Sequence, residues 1–209
     1  MYRYCKCHKP KTLLAMTSIV SKTRDLGFTL IELMVTVSIA AILMMVAAPS
    51  FVSYQRNSEL SSITNTLLSA INAARGEAMK RNMYAGISPK DGSNWNSGWI
   101  VYIDRNIDHN FSTSDDEIVF EQSSPPSYIA IAGTGTANES PPYVSYNGSG
   151  YPRNTSGGFG ALTISLTRND VSAAEAAEQT RRIIVAASGR TRSCKPSLDP
   201  ATCKASATE

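Results

Sequence analysis

From Gly27 to Phe51 the sequence runs GFTLIELMVTVSIAAILMMVAAPSF, a nearly continuous apolar stretch whose one ionisable residue is Glu32. The 24 residues Phe28–Phe51 would make a helix of about 36 Å, enough to cross a hydrocarbon core of about 30 Å with some tilt. A lone Glu in such a span costs about 2.5–3.5 kcal/mol on insertion scales, so Glu32 needs a partner or a task. A simple anchor would need neither. The sequence holds no second run of this kind, so one span is expected.

The residues before the run are basic. Arg3, Lys6, Lys9, Lys11, Lys22 and Arg24 stand against Asp25 alone, and this sign favours a cytoplasmic N-terminus with the remainder outside the inner membrane. The junction itself, Gly27-Phe28-Thr29-Leu30-Ile31-Glu32, resembles the processing site of type IV prepilins and type II secretion pseudopilins. The resemblance implies cleavage after Gly27 by a prepilin peptidase, methylation of the new Phe28 amine, and loss of a leader at 1–27. It also implies that Glu32 attracts the N-terminal amine of a neighbouring subunit in a filament, and that Pro49 bends the helix by removing a backbone donor. The leader carries +5, so the processed chain carries −2 where the whole sequence carries +3. The basic pI therefore says nothing of a nucleic-acid partner. Met16 offers a second possible start, and Cys5, Cys7 and His8 would be discarded with the leader.

Beyond Pro49 the helical period continues. Leu60, Ile63, Leu67, Ile71, Ala74 and Ala78 recur at spacings of three and four, an amphipathic stripe suited to covering a sheet. The reading is α+β: a long N-terminal transmembrane and amphipathic α-helix packed on a small antiparallel β domain, the pilin-like architecture that the junction's resemblance implies. Its parts are the span 28–54, the amphipathic continuation 55–81, a β domain 82–193 and a tail 194–209. Short β-rich runs punctuated by Gly, Pro, Ser and Asn predict strands at Gly98–Asp104, Glu117–Gln122, Tyr128–Ala132, Tyr143–Asn147, Ala161–Thr167 and Arg181–Ala187. Arg168–Thr180 is a short helix or a loop. In the oxidising compartment outside the inner membrane, Cys194 and Cys203 default to a disulfide, worth roughly 2–3 kcal/mol in the chain-entropy model.

Asn72–Ile87, NAARGEAMKRNMYAGI, followed by Gly98-Trp99-Ile100-Val101-Tyr102 and Asp104, resembles the FimT/GspH group of minor pilins and pseudopilins. The resemblance covers most of the processed chain but is strict only in patches. Gly189-Arg190-Thr191-Arg192 is similar to the tail motif of FimT proteins, which implies DNA binding during natural transformation. Charge supports it independently: residues 181–204, with Arg181, Arg182, Arg190, Arg192, Lys195 and Lys204 against Asp199, carry +5. In one extended strand Arg190 and Arg192 would share a side about 6–7 Å apart, the spacing of successive phosphates, with Gly189 allowing a turn that exposes them. The alternative is structural. Residues 104–121 carry −5, so the basic tail could pair with them, and the chain could prime or cap a pilus or pseudopilus through other major and minor pilins without touching DNA.

Asp104, Asn106, Asp108, Asn110 and Asp115 fall at the first, third, fifth, seventh and twelfth places of a calcium loop, although His109 replaces the turn glycine and the flanks read as strands. The expectation is no bound metal or cofactor. Neither is catalysis expected, since the processed chain has one histidine and no nucleophile elbow or P-loop.

Overall fold

Helix α1, Leu30–Arg81, opens on Thr29, whose hydroxyl accepts the Glu32 amide at 3.3 Å while its carbonyl accepts Leu33 N at 3.1 Å. The computed structural model describes residues 27–206, without the side chains of Val46 and Pro49. The leader to residue 26, with Met1, Met16, Cys5, Cys7 and His8, lies outside the described residues, as does any side-chain role of Pro49. From Leu30 to Ala47 the described side chains are almost all exposed, Leu33 and Ile42 among them, as befits a helix apolar on every face. Among the described residues no single helix is long and apolar enough to cross a membrane; Leu30–Met45 and Ser50–Arg81 meet that requirement only as a pair across a break. The apolar piece Leu30–Met45 alone reaches only about 24 Å.

From Leu60 onward α1 buries one stripe. Leu60, Leu67, Ile71, Ala74 and Ala78 are fully buried, Ile63 packs at their margin, and Ala70 joins them. The stripe meets two antiparallel sheets. The first has strand order β3-β2-β1-β5-β6, built from β1 Tyr84–Pro89, β2 Trp99–Asp104, β3 Glu117–Gln122, β5 Val144–Tyr146 and β6 Pro152–Arg153. The second, β4-β7-β8-β9, is built from β4 Ile129–Gly133, β7 Leu162–Arg168, β8 Thr180–Val185 and β9 Thr191–Cys194. Ile87, Trp99, Val101, Ile103 and Val144 from one sheet and Ile129, Leu162, Ile164, Leu166, Ile183 and Val185 from the other share a single core with α1. Burying such side chains contributes roughly 1.5–3 kcal/mol each, which makes this joint core the main stabilising term.

Two departures from the strand expectations have local causes. Tyr84–Pro89 is not among the expected strands, yet it forms β1, where a Cβ on Gly86 would sit 2.9 Å from the Tyr102 ring. The strand needs glycine because an aromatic ring crosses it. Arg168–Thr180, expected as a short helix or a loop, holds the short helix α2, Ala173–Ala176, opened by a capping box between Ser172 and Glu175. The final basic run is not one strand: it folds into the β8–β9 hairpin, with Ala186 and Arg190 paired across its end and Gly189 at φ +80°.

At the start of β7's outgoing turn, Arg168 is buried and forks onto Asp170 through Nε and Nη2, both at 2.8 Å, while Nη1 donates to the Ser53 carbonyl at 3.1 Å. Arg56 also donates to Asp170 at 2.5 Å. The Arg168 guanidinium, then burial working against it, then Arg56 set the Asp170 carboxyl well below the usual carboxylate range. This cluster ties the second sheet to α1.

Candidate functional site

Sheet order makes β9 the free edge of the second sheet, and all six cations of residues 181–204 lie on or beside it. Their surroundings differ. Arg181, half-buried on β8, donates to Asn57 Oδ1 at 3.0 Å, the Thr180 carbonyl at 3.0 Å and the Glu178 carbonyl at 3.2 Å; burial pulls its guanidinium below the usual arginine range. Arg182 donates from Nη1 to the Cys203 carbonyl at 2.6 Å. Lys195 pairs with Glu178 at 2.6 Å. Arg192 donates to the Thr202 carbonyl at 2.8 Å and lies close enough to Asp199 to help depress its carboxyl, although the Thr202 hydroxyl and amide are the larger causes.

Arg190 stands apart. It is exposed at the end of the hairpin, and among the described residues its guanidinium has no hydrogen bond or ion pair; its backbone is engaged, the amide donating to Ser188 Oγ at 3.5 Å and the carbonyl accepting Ala186 N at 2.9 Å. Arg190 and Arg192 together line a groove of about 290 Å³ with Ile184, Ala186, Ala187 and Ser188. A second groove of about 260 Å³ runs between α1 and β9, lined by Ser61, Thr64, Asn65, Arg181, Ser193, Cys194 and Lys195. The structure thus brings Arg190 and Arg192 to one groove, where the hairpin turn at Gly189 leads into β9.

Gly189 has a second constraint besides the turn. A Cβ there would fall 2.2 Å from the Gly150 carbonyl oxygen and 3.1 Å from Arg75 Nε, which itself donates to that carbonyl at 2.9 Å. The helix patch Ala73–Ala78 and the Gly-Arg pair therefore meet at Gly150. Sequence reasoning quoted Arg75 without seeing this task; its place in the Ala-Arg-x-Glu-Ala patch was the available signal. Glu178 and Thr202 were missed altogether, since a neutralising carboxylate and a backbone carbonyl leave no motif.

Cys194 and Cys203 form the expected disulfide, with Cα atoms 5.8 Å apart. It closes the tail back onto β9, and Thr134 Oγ1 holds the following segment by donating to the Ala205 carbonyl at 3.2 Å.

The alternative pairing of basic tail with acidic turn inside the monomer is not seen among the described residues. Glu117 pairs with Arg81 at 2.8 Å and Arg105 at 2.7 Å, and Glu121 with Lys90 at 2.7 Å. In the calcium-like loop the acceptors are taken by the loop's own backbone. Asp104 is buried and accepts Ile107 N at 2.7 Å and His109 N at 3.0 Å; Asn106 accepts Asp108 N at 3.3 Å; Asp108 accepts Asn110 N at 2.8 Å. Asp115 takes the Ser114 hydroxyl at 2.9 Å. No group of three or more His, Cys, Asp or Glu side chains is gathered for a metal among the described residues. His109, in the place of the turn glycine, has φ +61°, so the position does have the backbone geometry that glycine would ease. Glu32 lies in the first turn of α1, and among the described residues its carboxylate has no ion partner.

Residues 64–189 match the family model described as Type II transport protein GspH, and residues 22–48 match that of the prokaryotic N-terminal methylation motif. Among solved structures, the chain is similar to the type IV minor pilin FimU of Pseudomonas aeruginosa, at 15% identity and a TM-score of 0.51, covering 72% of this chain and 99% of that one. It is also similar to the minor pseudopilin EpsH from the Type 2 Secretion System of Vibrio cholerae, at 11% identity and a TM-score of 0.46, covering 66% and 98% respectively. At such identity the FimU likeness shows the fold. No curated protein sequence matches. With the pilin-like α+β fold in place and the family model spanning more than half of its length, the chain belongs to the GspH family.

Proposed function

We propose that this GspH-family chain is a minor pilin whose β9 edge binds DNA during uptake, by phosphate contacts and without sequence preference. The observation that carries the reading is Arg190: an exposed guanidinium with no ion partner among the described residues, beside Arg192 in one groove. Cations so placed contact phosphates and carry no base information. Prepilin peptidase would cut after Gly27 and methylate Phe28. The chain would sit in the inner membrane with its N-terminus cytoplasmic and its β domain periplasmic, until Glu32 engages a neighbouring amine and Pro49 accommodates the helix to the filament core.

The test is a strain carrying Arg190→Ala with Arg192→Ala, scored for transformation and for pilus number. Lost transformation with normal piliation is the expected result; equal transformation would overturn the DNA reading. In vitro, the double variant should bind duplex DNA more weakly, with a log–log salt slope shallower by about 2.

A second reading has its own observation. Gly189 is required by its packing on Gly150 and Arg75, so the Gly-Arg pair has a structural reason to exist without DNA. On that reading the chain primes or caps a pilus or type II secretion pseudopilus through other pilins. Gly189→Ala would then abolish assembly while the double arginine variant left transformation intact.

A further inference from the structure

A sheet edge is a row of backbone donors and acceptors open to another chain, and proteins close such edges by recognisable devices. The two sheets have four edges, and three of them are closed. On β4 the outward groups of Ile129 and Ile131 are taken: Asn96 Nδ2 donates to the Ile129 carbonyl at 2.6 Å, Asn96 Oδ1 accepts Ile131 N at 2.9 Å, and Ile129 N donates to the Pro126 carbonyl at 2.9 Å. Beside β6 the chain folds back, with Phe159 bridging Arg153 and Gly160 N donating to the Pro152 carbonyl at 3.1 Å. On β3 the register shifts opposite Val101 and Tyr102, a bulge that interrupts the edge.

Among the described residues β9 has no such device. Its pairing with β8 shows which way its backbone faces. Ala186 N donates to the Arg190 carbonyl at 2.9 Å, so residues 186 and 190 form a hydrogen-bonded pair, and bonded and non-bonded pairs alternate along an antiparallel ladder. Counting on from there, Ile184 with Arg192 and Arg182 with Cys194 are bonded pairs, while Val185 with Thr191 and Ile183 with Ser193 are not. Residues of a non-bonded pair turn their N–H and C=O groups away from each other. For Val185 and Ile183 that direction is β7, where Leu162 and Ile164 stand opposite them. For Thr191 and Ser193 it is the open edge, and neither amide has an acceptor among the described residues. Two residues along a strand advance about 6–7 Å, so the two outward donors repeat at the spacing of successive phosphates.

We propose that the Thr191 and Ser193 amides are phosphate donors, so that one strand of the nucleic acid runs along β9 with its phosphates on these two N–H groups and its charge met by Arg190. The proposal rests on the reading that the β9 edge binds DNA, and it adds the line that the DNA follows. Backbone amides commonly hold phosphate oxygens, and being neutral they add affinity without adding to the counterions released. The competing occupant of an open edge is a peptide strand, which would use the outward carbonyls as well.

The experiment uses the full chain in detergent with a fluorescent DNA duplex, followed by anisotropy over a range of salt. Ser193→Pro removes one outward amide and no ladder bond, a substitution that edge strands accommodate. Ser193→Ala removes the hydroxyl and keeps the amide. The proline variant should bind about tenfold more weakly with the salt slope unchanged, the alanine variant should bind like the wild type, and Arg190→Ala should differ from both by a slope shallower by about 1. Full affinity in Ser193→Pro overturns the proposal, and if that variant has also lost its pili the edge belongs to a partner's strand. Amide exchange followed by NMR on the wild type needs no substitution. Without DNA, Thr191 and Ser193 should exchange freely while Arg192 and Cys194 are protected; a saturating duplex should slow the first two by about tenfold or more. Exchange at Thr191 and Ser193 that bound DNA leaves unaltered sinks the claim whatever the proline variant does. A wild type whose binding is absent or independent of salt fails differently, since it removes the DNA reading itself and the amides' role with it.

Discussion

The acidic corner and the basic edge carry the same formal charge magnitude, −5 over residues 104–121 and +5 over residues 181–204, yet the fold treats them in opposite ways. In the corner, charge meets charge. Glu117 sits between Arg81 and Arg105, Glu121 meets Lys90, and the hydrogen bonds from Arg81 and then Arg105 hold the Glu117 carboxyl below its usual range. Asp104 is buried to cap its own loop. On the basic edge the partners are largely neutral oxygens: carbonyls of Thr180, Glu178, Cys203 and Thr202, and the amide of Asn57. A carbonyl orients a guanidinium without cancelling its field. One region sets charge against charge, while the other holds Arg181 and Arg182 on neutral oxygens and leaves Arg190 exposed.

The largest test of this contrast is Asp104→Ala. It leaves the Ile107 and His109 amides without their acceptor in a turn whose residues 107 and 109 both have φ near +60°. The buried His109 amide left unsatisfied costs about 1–3 kcal/mol, so urea unfolding should show a loss of about that size. DNA affinity of the folded variant should not change. If stability were kept, the corner would not be the closed structural unit described above.

How much of this was legible in the sequence differs between the same two regions. The α1 stripe from Leu60 to Ala78, the strand Glu117–Gln122 and the Cys194–Cys203 bond follow from periodicity, β-rich composition and compartment. Each is a local signal. β1 was not legible because Gly86 and Pro89 are turn residues by propensity, and only the Tyr102 ring lying across Gly86 explains the glycine. β6, two residues long, is defined only by its pairing with β5 and leaves no pattern of its own. Six basic residues were equally visible on the edge, but their availability was not. What separates Arg190 from Arg181 or Lys195 is a set of contacts to Asn57, Glu178 and loop carbonyls, and contacts at sequence separations up to 124 have no signature in composition.

A smaller test asks whether the edge is tuned by its one carboxylate partner for lysine. Glu178 is exposed and held below its usual range first by the hydrogen bond from Lys195. Exposed pairs contribute little to stability, so Glu178→Gln should leave the melting midpoint where it was. Lys195 would then be available to phosphate. Under the DNA reading the salt slope should steepen by about 1 and affinity at low salt should rise, measured by the same anisotropy titration. An unchanged slope would mean that Lys195 faces away from the nucleic-acid path and that the edge is shorter than its charge suggests.

The smallest expected effect is a pH dependence confined to the acidic corner. His109 is buried, stacked on Tyr143 at 5.2 Å, with its Nδ1 unpartnered and 3.9 Å from Asp104 Oδ2. Burial, outweighing Asp104, lowers its pKa below the ordinary imidazole value, so the folded chain binds this proton less readily than the unfolded chain does. The stability tied to neutral His109 is therefore complete above the unfolded value of about 6.5 and is lost as pH falls from there through the folded pKa. Asp104 works in the other direction. Burial raises its pKa, so the folded chain holds that proton more tightly, and acidification through its folded pKa towards the unfolded value of about 3.9 returns stability. Unfolding midpoints in urea should thus fall first and then fall less steeply as pH is lowered, and His109→Gln should remove the first descent alone. Because neither group lies on β9, DNA affinity over the upper window should follow salt and not this titration. A shared midpoint in stability and binding would show that corner and edge are coupled, and would erase the separation between a region that sets charge against charge and one that leaves Arg190 exposed.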